Sequence, residues 1–320
     1  MDLKDKKIIN ALESYARKPF SKVAKEVGLS RELVAYRYKR LCDNGIIHSS
    51  YALMDPAKIG FGIFRVLFRL ATTKEGETAK LVEYFGKDNS VMWFASVGGR
   101  WDLIAEFLFG NAFEFNEKLN EVLKKFKENV LDYDVSIVLT IKFYEIAYLL
   151  PRKEERKIKE IGGKIDNVKL HSADRKILNE LKNNARATSI QLSKKLGMSR
   201  NTINSRINRL SEKKVLLGFK LFPNHSKIGK QQYKILINLR NFGLLTEKKF
   251  FSFAEANKST LYALKNFGKW NAEIEVAVKD AEEVQNVSAQ LRELFQQDLT
   301  DIEIIPIFRD YKINLMPPTE

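Results

Sequence analysis

The stretch Gly28-Leu-Ser-Arg-Glu-Leu-Val-Ala-Tyr-Arg-Tyr-Lys-Arg-Leu41 returns 169 residues later as Gly197-Met-Ser-Arg-Asn-Thr-Ile-Asn-Ser-Arg-Ile-Asn-Arg-Leu210. In both copies a glycine turn precedes a serine that can cap a helix by accepting a backbone N–H. Apolar residues then recur at helical spacing: Val34, Tyr38 and Leu41 in the first, Ile203, Ile207 and Leu210 in the second. The match runs upstream without a gap, Asp5–Leu41 laid on Asp174–Leu210 being identical at fourteen of thirty-seven positions. The same offset pairs Lys58-Ile-Gly60 with Lys227-Ile-Gly229, Gly99 with Gly268, Trp101 with Trp270 and Asp132 with Asp301. The chain is therefore one whole unit written twice.

Ahead of the quoted stretch, Leu3, Ile8, Ile9 and Leu12 predict a helix through Ser14, and a second, short helix follows from Ser21 to Val27. Gly28 breaks the pattern, and Gly45 stops the third helix. The second copy predicts helices over Ala173–Asn183, Ser189–Leu196 and Ser199–Lys213. Helix, glycine turn and arginine-bearing helix is the order of a helix-turn-helix, whose second member enters the DNA major groove. A plain helical bundle also has a glycine turn and surface arginines, but the identical Gly-x-Ser-Arg in two copies favours the DNA-binding reading.

After each helical trio the apolar period changes from 3.6 to 2. Strands are expected over Phe61–Leu70, Val91–Val97, Asp102–Phe109 and Val130–Tyr144, with helices over Glu77–Phe85 and Phe113–Phe126. The second copy repeats the order with Tyr233–Leu239, Leu245–Ala256, Leu261–Phe267, Asn271–Val278, Ala281–Phe295 and Leu299–Phe308. The order β-α-β-β-α-β builds a four-stranded antiparallel sheet with both helices on one face, the ferredoxin-like arrangement. Val91–Val97 is apolar almost throughout, so both its sides should be buried. One side meets its own helices, and the other side calls for a partner sheet, for which the other repeat is the nearest candidate. The fold expected is thus α+β, a winged-type helix-turn-helix followed by a ferredoxin-like domain, twice. The expected segments are 1–52 and 169–220 for the helix-turn-helices, 58–150 and 227–316 for the sheets, and a charged linker at 151–168. Proline opens that linker and a glycine pair closes it, and its middle has the composition of a short solvated helix.

Composition bounds the function classes. Of 320 residues, 55 are Lys or Arg and 40 Asp or Glu, a net charge of +15, and 44% are hydrophobic, which excludes a disordered tail or a fibre. The basic excess and a pI near 9.6 point to a polyanionic partner. The apolar runs Val135–Ile141 and Ile146–Leu150 are separated by Lys142 and Glu145 and fall short of the ~20 residues of a membrane span. The N-terminus has no apolar core of a signal peptide, so a cytoplasmic protein without a membrane partner is expected. Cys42 alone and the scattered His48, His171 and His225 form no zinc pattern, so neither metal nor cofactor is expected.

These residues resemble the Lrp/AsnC, or feast/famine, transcription regulators, over nearly the whole chain. The elements that carry the likeness are Asp5-Lys-Lys-Ile-Ile and Arg37-Tyr-Lys-Arg-Leu41, repeated as Asp174-Arg-Lys-Ile-Leu and Arg206-Ile-Asn-Arg-Leu210. The approach to the sheet, Ile59-Gly60-Phe61, and the turn Gly99-Arg100-Trp101-Asp102 are similar to the family's as well. The family usually has one such unit per chain. Its second turn here reads Gly268-Lys269-Trp270-Asn271, without the acid, which favours the first repeat as the effector site. The resemblance implies an amino-acid effector bound where sheets of neighbouring units meet, at Gly98, Gly99, Arg100, Trp101 and Asp102, with Trp93 and Trp270 as further candidates or, more simply, as core.

Double-stranded DNA is the partner that the resemblance and the charge both imply. Residues near the start of each recognition helix and opposite its buried stripe can reach base edges: Arg31, Glu32, Ala35 and Tyr36, and Arg200, Asn201, Thr202, Asn204 and Ser205. Arg pairs with guanine, Asn with adenine, and Glu accepts from cytosine, so the heads should read different half-sites. Arg37, Arg40, Arg206 and Arg209 are candidates for phosphate contact, with a solvated helix-stabilising role as the alternative. Ser30 and Ser199 are caps first, and any phosphate bond is additional.

The two sheets are expected to pair within one chain as an intramolecular pseudo-dimer, open to further homo-oligomerisation. An architectural nucleoid-type protein fits the charge as well. A fused siroheme decarboxylase-like enzyme shares the two-domain plan, and Arg17-Lys18-Pro19-Phe20 is faintly similar to that group. The resemblance to that group implies histidines in the sheet domain, however, and neither sheet here supplies one. The expectation is that the chain is not an enzyme.

Overall fold

The computed structural model describes residues 1–13, 15–71, 77–150, 156–182 and 184–318. The chain runs α1 (Leu3–Glu13), α2 (Phe20–Val27), α3 (Arg31–Asp43), β1 (Ile47–Met54), β2 (Gly62–Leu70), α4 (Glu77–Lys87), β3 (Val91–Val97), β4 (Leu103–Phe109), α5 (Ala112–Lys125), β5 (Val130–Tyr144) and β6 (Ile158–Gly162). It continues with α6 (Ser172–Leu181), α7 (Ser189–Leu196), α8 (Arg200–Glu212), β7 (Leu216–Pro223), β8 (Gln231–Leu239), α9 (Leu244–Ala256), β9 (Thr260–Phe267), β10 (Ala272–Val278), α10 (Ala281–Leu294) and β11 (Leu299–Ile313). This is the α+β plan read from the sequence, duplicated. Chain segments group by function rather than by copy: one compact unit holds both helix-turn-helices, the other both sheets.

In the sheet unit the first repeat has the spatial order β5-β2-β4-β3 and the second β11-β8-β10-β9, all neighbours antiparallel. The repeats then join at both edges, β3 to β11 and β9 to β5, so eight strands close into a barrel with no free edge between copies. The sheets therefore meet edge to edge as well as across an interior. The fifteen-residue strands make this closure: Val130–Val138 of β5 pairs with β2, and Ile137–Phe143 pairs with β9. β11 divides likewise between β8 and β3, which is why it extends to Ile313 and not only to Phe308.

Alternation along each strand sorts side chains to two cores. Outward, Phe64, Val66, Phe68, Phe94 and Phe107 meet Leu81 and Phe85 of α4 and Phe115, Leu119 and Val122 of α5. Phe85 is wholly buried with its ring 5.5–5.8 Å from those of Phe68, Phe94 and Phe107, a burial that contributes about 1.5–3 kcal/mol. Inward, Leu67, Trp93, Ala95, Val97, Trp101 and Ile104 meet Leu236, Trp270, Ile305 and Ile307. Val91–Val97 is thus buried on both sides, as its composition requires.

The barrel interior also holds charge. Arg65 on β2 donates to Glu106, its directly opposed neighbour on β4, at 2.6 and 3.1 Å, and also to Glu273 on β10. The repeat places Lys234 and Glu275 at the matching positions, again directly opposed, 3.3 Å apart. Asp310 on β11 accepts from the Trp93 indole at 2.9 Å across the β3–β11 seam. Burial lowers the Lys234 ammonium and raises the Asp310 carboxyl; it raises Glu275 to about 7.

The linker departs from expectation. Residues 151–155 lie outside those described, and Ile158–Gly162 is a strand rather than a helix, joining β5 at its outer side. Gly162, at φ +96, lies so close to the Leu139 carbonyl that a Cβ would stand 2.5 Å from it, so the strand's end requires glycine.

Removing Arg65 takes the hydrogen-bonded cation from buried Glu106 and leaves Glu273 with Lys234 and Asn266 alone, so Arg65→Ala is expected to cost about 3–5 kcal/mol in denaturant unfolding. Because Glu275 titrates higher folded than its ordinary 4.5, the native chain holds the extra proton between those values. Stability from this group is complete below about pH 4.5 and is lost as pH rises toward 7. Glu275→Gln should flatten the fall of Tm across that window.

Candidate nucleic-acid interface

In the other unit, each helix-turn-helix is built from the punctuation that the sequence supplies. Gly28 and Gly197 end α2 and α7 in the left-handed conformation, at φ +65 and +66, where a Cβ is disfavoured. Ser30 and Ser199 then cap α3 and α8, their hydroxyls accepting from Leu33 and Thr202 N–H at 3.1 Å. Val34 and Leu41, and Ile203 and Leu210, are buried toward their own bundles, leaving the opposite faces free.

Of the expected reading residues, Arg31, Glu32 and Tyr36 are exposed on α3, and Ala35 is half-buried. On α8, Arg200, Asn201, Thr202, Asn204 and Ser205 are exposed. Asn204 accepts from Ser189 at 2.5 Å, and Thr202 shares a hydrogen bond with Ser199, so both are oriented by their own domain.

The four arginines next to the buried stripe have a first partner inside the protein. Arg37 and Arg40 both bind the buried carboxylate of Asp5, at 2.9 Å each, and Arg37 also binds Asp2. In the second copy Arg206 and Arg209 bind Asp174 at 3.0 and 3.4 Å. These pairs brace the recognition helix against the first helix of the trio. The sequence signal for Asp5 and Asp174 was their identity across the repeat.

The two heads are joined by reciprocal contacts that the sequence did not announce. β1 and β7 pair antiparallel with Tyr51 opposite Lys220, which are themselves a matched pair in the repeat, so the register places a pseudo-two-fold axis there. On either side of it, the Ala16 N–H donates to Phe219 C=O at 2.8 Å and the Ala185 N–H to Ser50 C=O at 3.0 Å. Arg17 stacks on Phe219, and its counterpart Arg186 stacks on Phe20 and Tyr38 and donates to the Ala16 and Lys18 carbonyls. Burial lowers both guanidinium pKa values from the ordinary range. Lys220 adds an ion pair with buried Glu13 at 2.7 Å. His225 is buried against Tyr148 at 2.5 Å, and burial pushes it down to about 3, a neutral ring.

Charge separates the units. The +15 excess falls entirely on the helix-turn-helix unit, because the sheet unit has slightly more acidic than basic residues.

The residues assigned to an effector lie at the β3–β4 turn of the sheet unit. Gly99 has φ +85, Arg100 is exposed over Trp101 and binds Asp132 at 3.2 Å, and Trp101 is buried. Asp102 accepts from the Leu70 N–H at 2.7 Å. Asn271, its counterpart, accepts from the Leu239 N–H at 2.9 Å and returns a bond to the Leu239 carbonyl. The acid therefore ties the turn to the end of β2, and losing it in the second copy removes no such tie. That corrects the argument that favoured the first repeat. Trp93, Trp101 and Trp270 belong to the barrel core.

Two helix-turn-helix bundles with exposed faces and a concentrated basic excess define a DNA-binding protein. Residues 1–41 match the AsnC-type helix-turn-helix domain, and residues 170–216 a winged helix-turn-helix DNA-binding domain. An HTH-type transcriptional regulator of Pyrococcus horikoshii is 34% identical over 128 residues, 39% of this chain and 85% of that protein. The HTH-type transcriptional regulator FL11 of Pyrococcus furiosus is 27% identical over 118 residues, 37% of this chain and 77% of that one. The chain belongs to the Lrp/AsnC family of transcription regulators. Among the described residues, no helix is long and apolar enough to cross a membrane.

A solved structure of the siroheme decarboxylase NirDL matches with TM-score 0.61 at 12% identity, over 97% of this chain and 93% of that one. This overturns the expectation that the chain is not an enzyme: the complete tandem scaffold is one on which an enzyme is built, so missing sheet histidines do not exclude catalysis. At that identity the likeness is one of fold.

Arg186→Ala removes a charged donor from two carbonyls, and should cost about 1.5–3 kcal/mol in thermal unfolding. Exposed Arg31→Ala should stay within about 0.5 kcal/mol.

Proposed function

We propose that the chain is a sequence-specific transcription regulator that engages one DNA site with both heads, a single chain acting as a pseudo-dimer in the cytoplasm. The observation that carries this reading is the reciprocal joining of the two heads about the Tyr51–Lys220 pair, in the unit that holds all of the basic excess. Two heads related by a pseudo-dyad match an inverted pair of half-sites, about one helical turn (~34 Å) apart. The half-sites differ because the reading residues differ. Arg31, Glu32, Ala35 and Tyr36 face one, and Arg200, Asn201, Thr202, Asn204 and Ser205 the other, each good base pairing supplying about 1–3 kcal/mol of discrimination. Ser30 and Ser199, with the free N–H groups of Arg37, Arg40, Arg206 and Arg209, face the backbone.

We assign an amino-acid effector to Gly98–Asp102, where the exposed Arg100, paired with Asp132 at 3.2 Å, would take the effector's carboxylate in place of that side chain. Further association of chains is part of the same reading.

Selection from a random duplex pool with the purified protein is expected to enrich an asymmetric inverted motif. The Arg31→Ala, Arg200→Ala double variant should lose that enrichment. A pool returned unchanged, with binding that still falls steeply in salt, would replace this reading with an architectural protein that senses backbone charge alone.

A further inference from the structure

The two heads are unequal in charge at matched positions. Segments 1–45 and 170–214, aligned by the repeat, each hold eleven Lys and Arg, but the first holds six Asp and Glu and the second three. Asp2, Glu13, Glu26 and Glu32 of the first head are replaced by His171, Lys182, Lys195 and Asn201 in the second, which gains Glu180 where the first has Ala11.

Three of these replacements have a local consequence. In the first head two arginines share two carboxylates, Arg37 with Asp2 and Asp5 and Arg40 with Asp5, so the cluster is balanced. In the second, Arg206 and Arg209 share Asp174 alone, so one positive charge is left over. Glu26 pairs with Lys18 at 2.8 Å on the first head, whereas on the second the matching Lys195, two-thirds exposed, pairs with Glu180 at 2.7 Å, so that an acid–base pair is kept there while the acid of position 26 is lost. Glu32 lies exposed in the first turn of the recognition helix, beside Arg31, and the matching Asn201 is neutral. A carboxylate there repels phosphates but accepts from a cytosine amino group.

We infer that the heads divide the work of recognition: the second anchors the chain on the phosphate backbone and sets affinity and salt dependence, and the first, through Glu32, mainly discriminates bases. This rests on the DNA-binding reading above.

The test uses the full chain and matched surface variants, Lys25→Gln with Arg31→Gln in the first head and Lys194→Gln with Arg200→Gln in the second. All four side chains are exposed, so the fold is kept, and circular dichroism checks it. Binding to a random-sequence duplex of about 30 base pairs is followed by fluorescence anisotropy from about 50 to 200 mM salt. The second-head variant is expected to lose about tenfold at the low-salt end, with the log–log slope shallower by nearly two, and the first-head variant to lose under about threefold. Glu32→Gln should tighten binding to the random duplex and reduce the preference for the selected site over it. Equal losses from the two heads, a larger loss from the first, or a Glu32→Gln chain with unchanged preference would overturn the division. Failure of the unmodified chain to bind any duplex would instead overturn the DNA-binding reading, and this inference with it.

Discussion

A β-strand with an unpaired edge presents a row of hydrogen-bonding groups that must find partners, and in this chain each copy leaves such edges open to the other. Among the described residues, β1 in the first helix-turn-helix has no strand neighbour in its own copy; β7, its counterpart, supplies one. The four-stranded sheets end in β3 and β5 on one side of the repeat and β9 and β11 on the other, and the cross-copy pairings close all four. Duplication thus works as complementation within one chain. Because the two partners are covalently joined, the pairing needs no second molecule, and the two copies are free to diverge at any position the ribbon and seams do not use.

That divergence is visible in the interior. Arg65–Glu106 and Lys234–Glu275 occupy equivalent cross-strand sites, yet Glu273 stands where the first copy has Ile104, and it takes bonds from Arg65 and Asn266. A buried group of this kind is costly unless paired, so its retention ties the two copies to one register rather than adding net stability. The likeness to NirDL bears on the same scaffold: a fold shared over 97% of the chain hosts an enzyme there and belongs here to a chain of the Lrp/AsnC family. Fold alone does not assign chemistry, and the assignment to DNA rests on the helix-turn-helix unit.

Much of this was legible beforehand because it is local. Gly28 and Gly197 need left-handed turns, Ser30 and Ser199 cap, and period-2 runs such as Phe61–Leu70 read directly as strands. The long Val130–Tyr144 strand was legible too, but its division between two sheets was not, since pairing is a non-local property. β1 and β7 escaped because stretches such as His48-Ser-Ser-Tyr51 alternate weakly and gain their order from each other. Arg65 and Glu106 do carry a signal in the sequence: a charge at the centre of an apolar strand, repeated at the same offset as Lys234 and Glu275. Asp102 gave no ground for preferring the first repeat, because Asn271 closes the equivalent turn as Asp102 does.

The central claim is that one chain holds two reading heads in a fixed relation. Inserting about five base pairs, half a helical turn, between the half-sites of a selected duplex tests it directly. Because the β1–β7 ribbon and the stacked Arg17 and Arg186 prevent the heads from turning, the account predicts that a single chain protects only one half-site on the altered duplex and binds at least about tenfold more weakly. Undiminished affinity with both half-sites protected would contradict it.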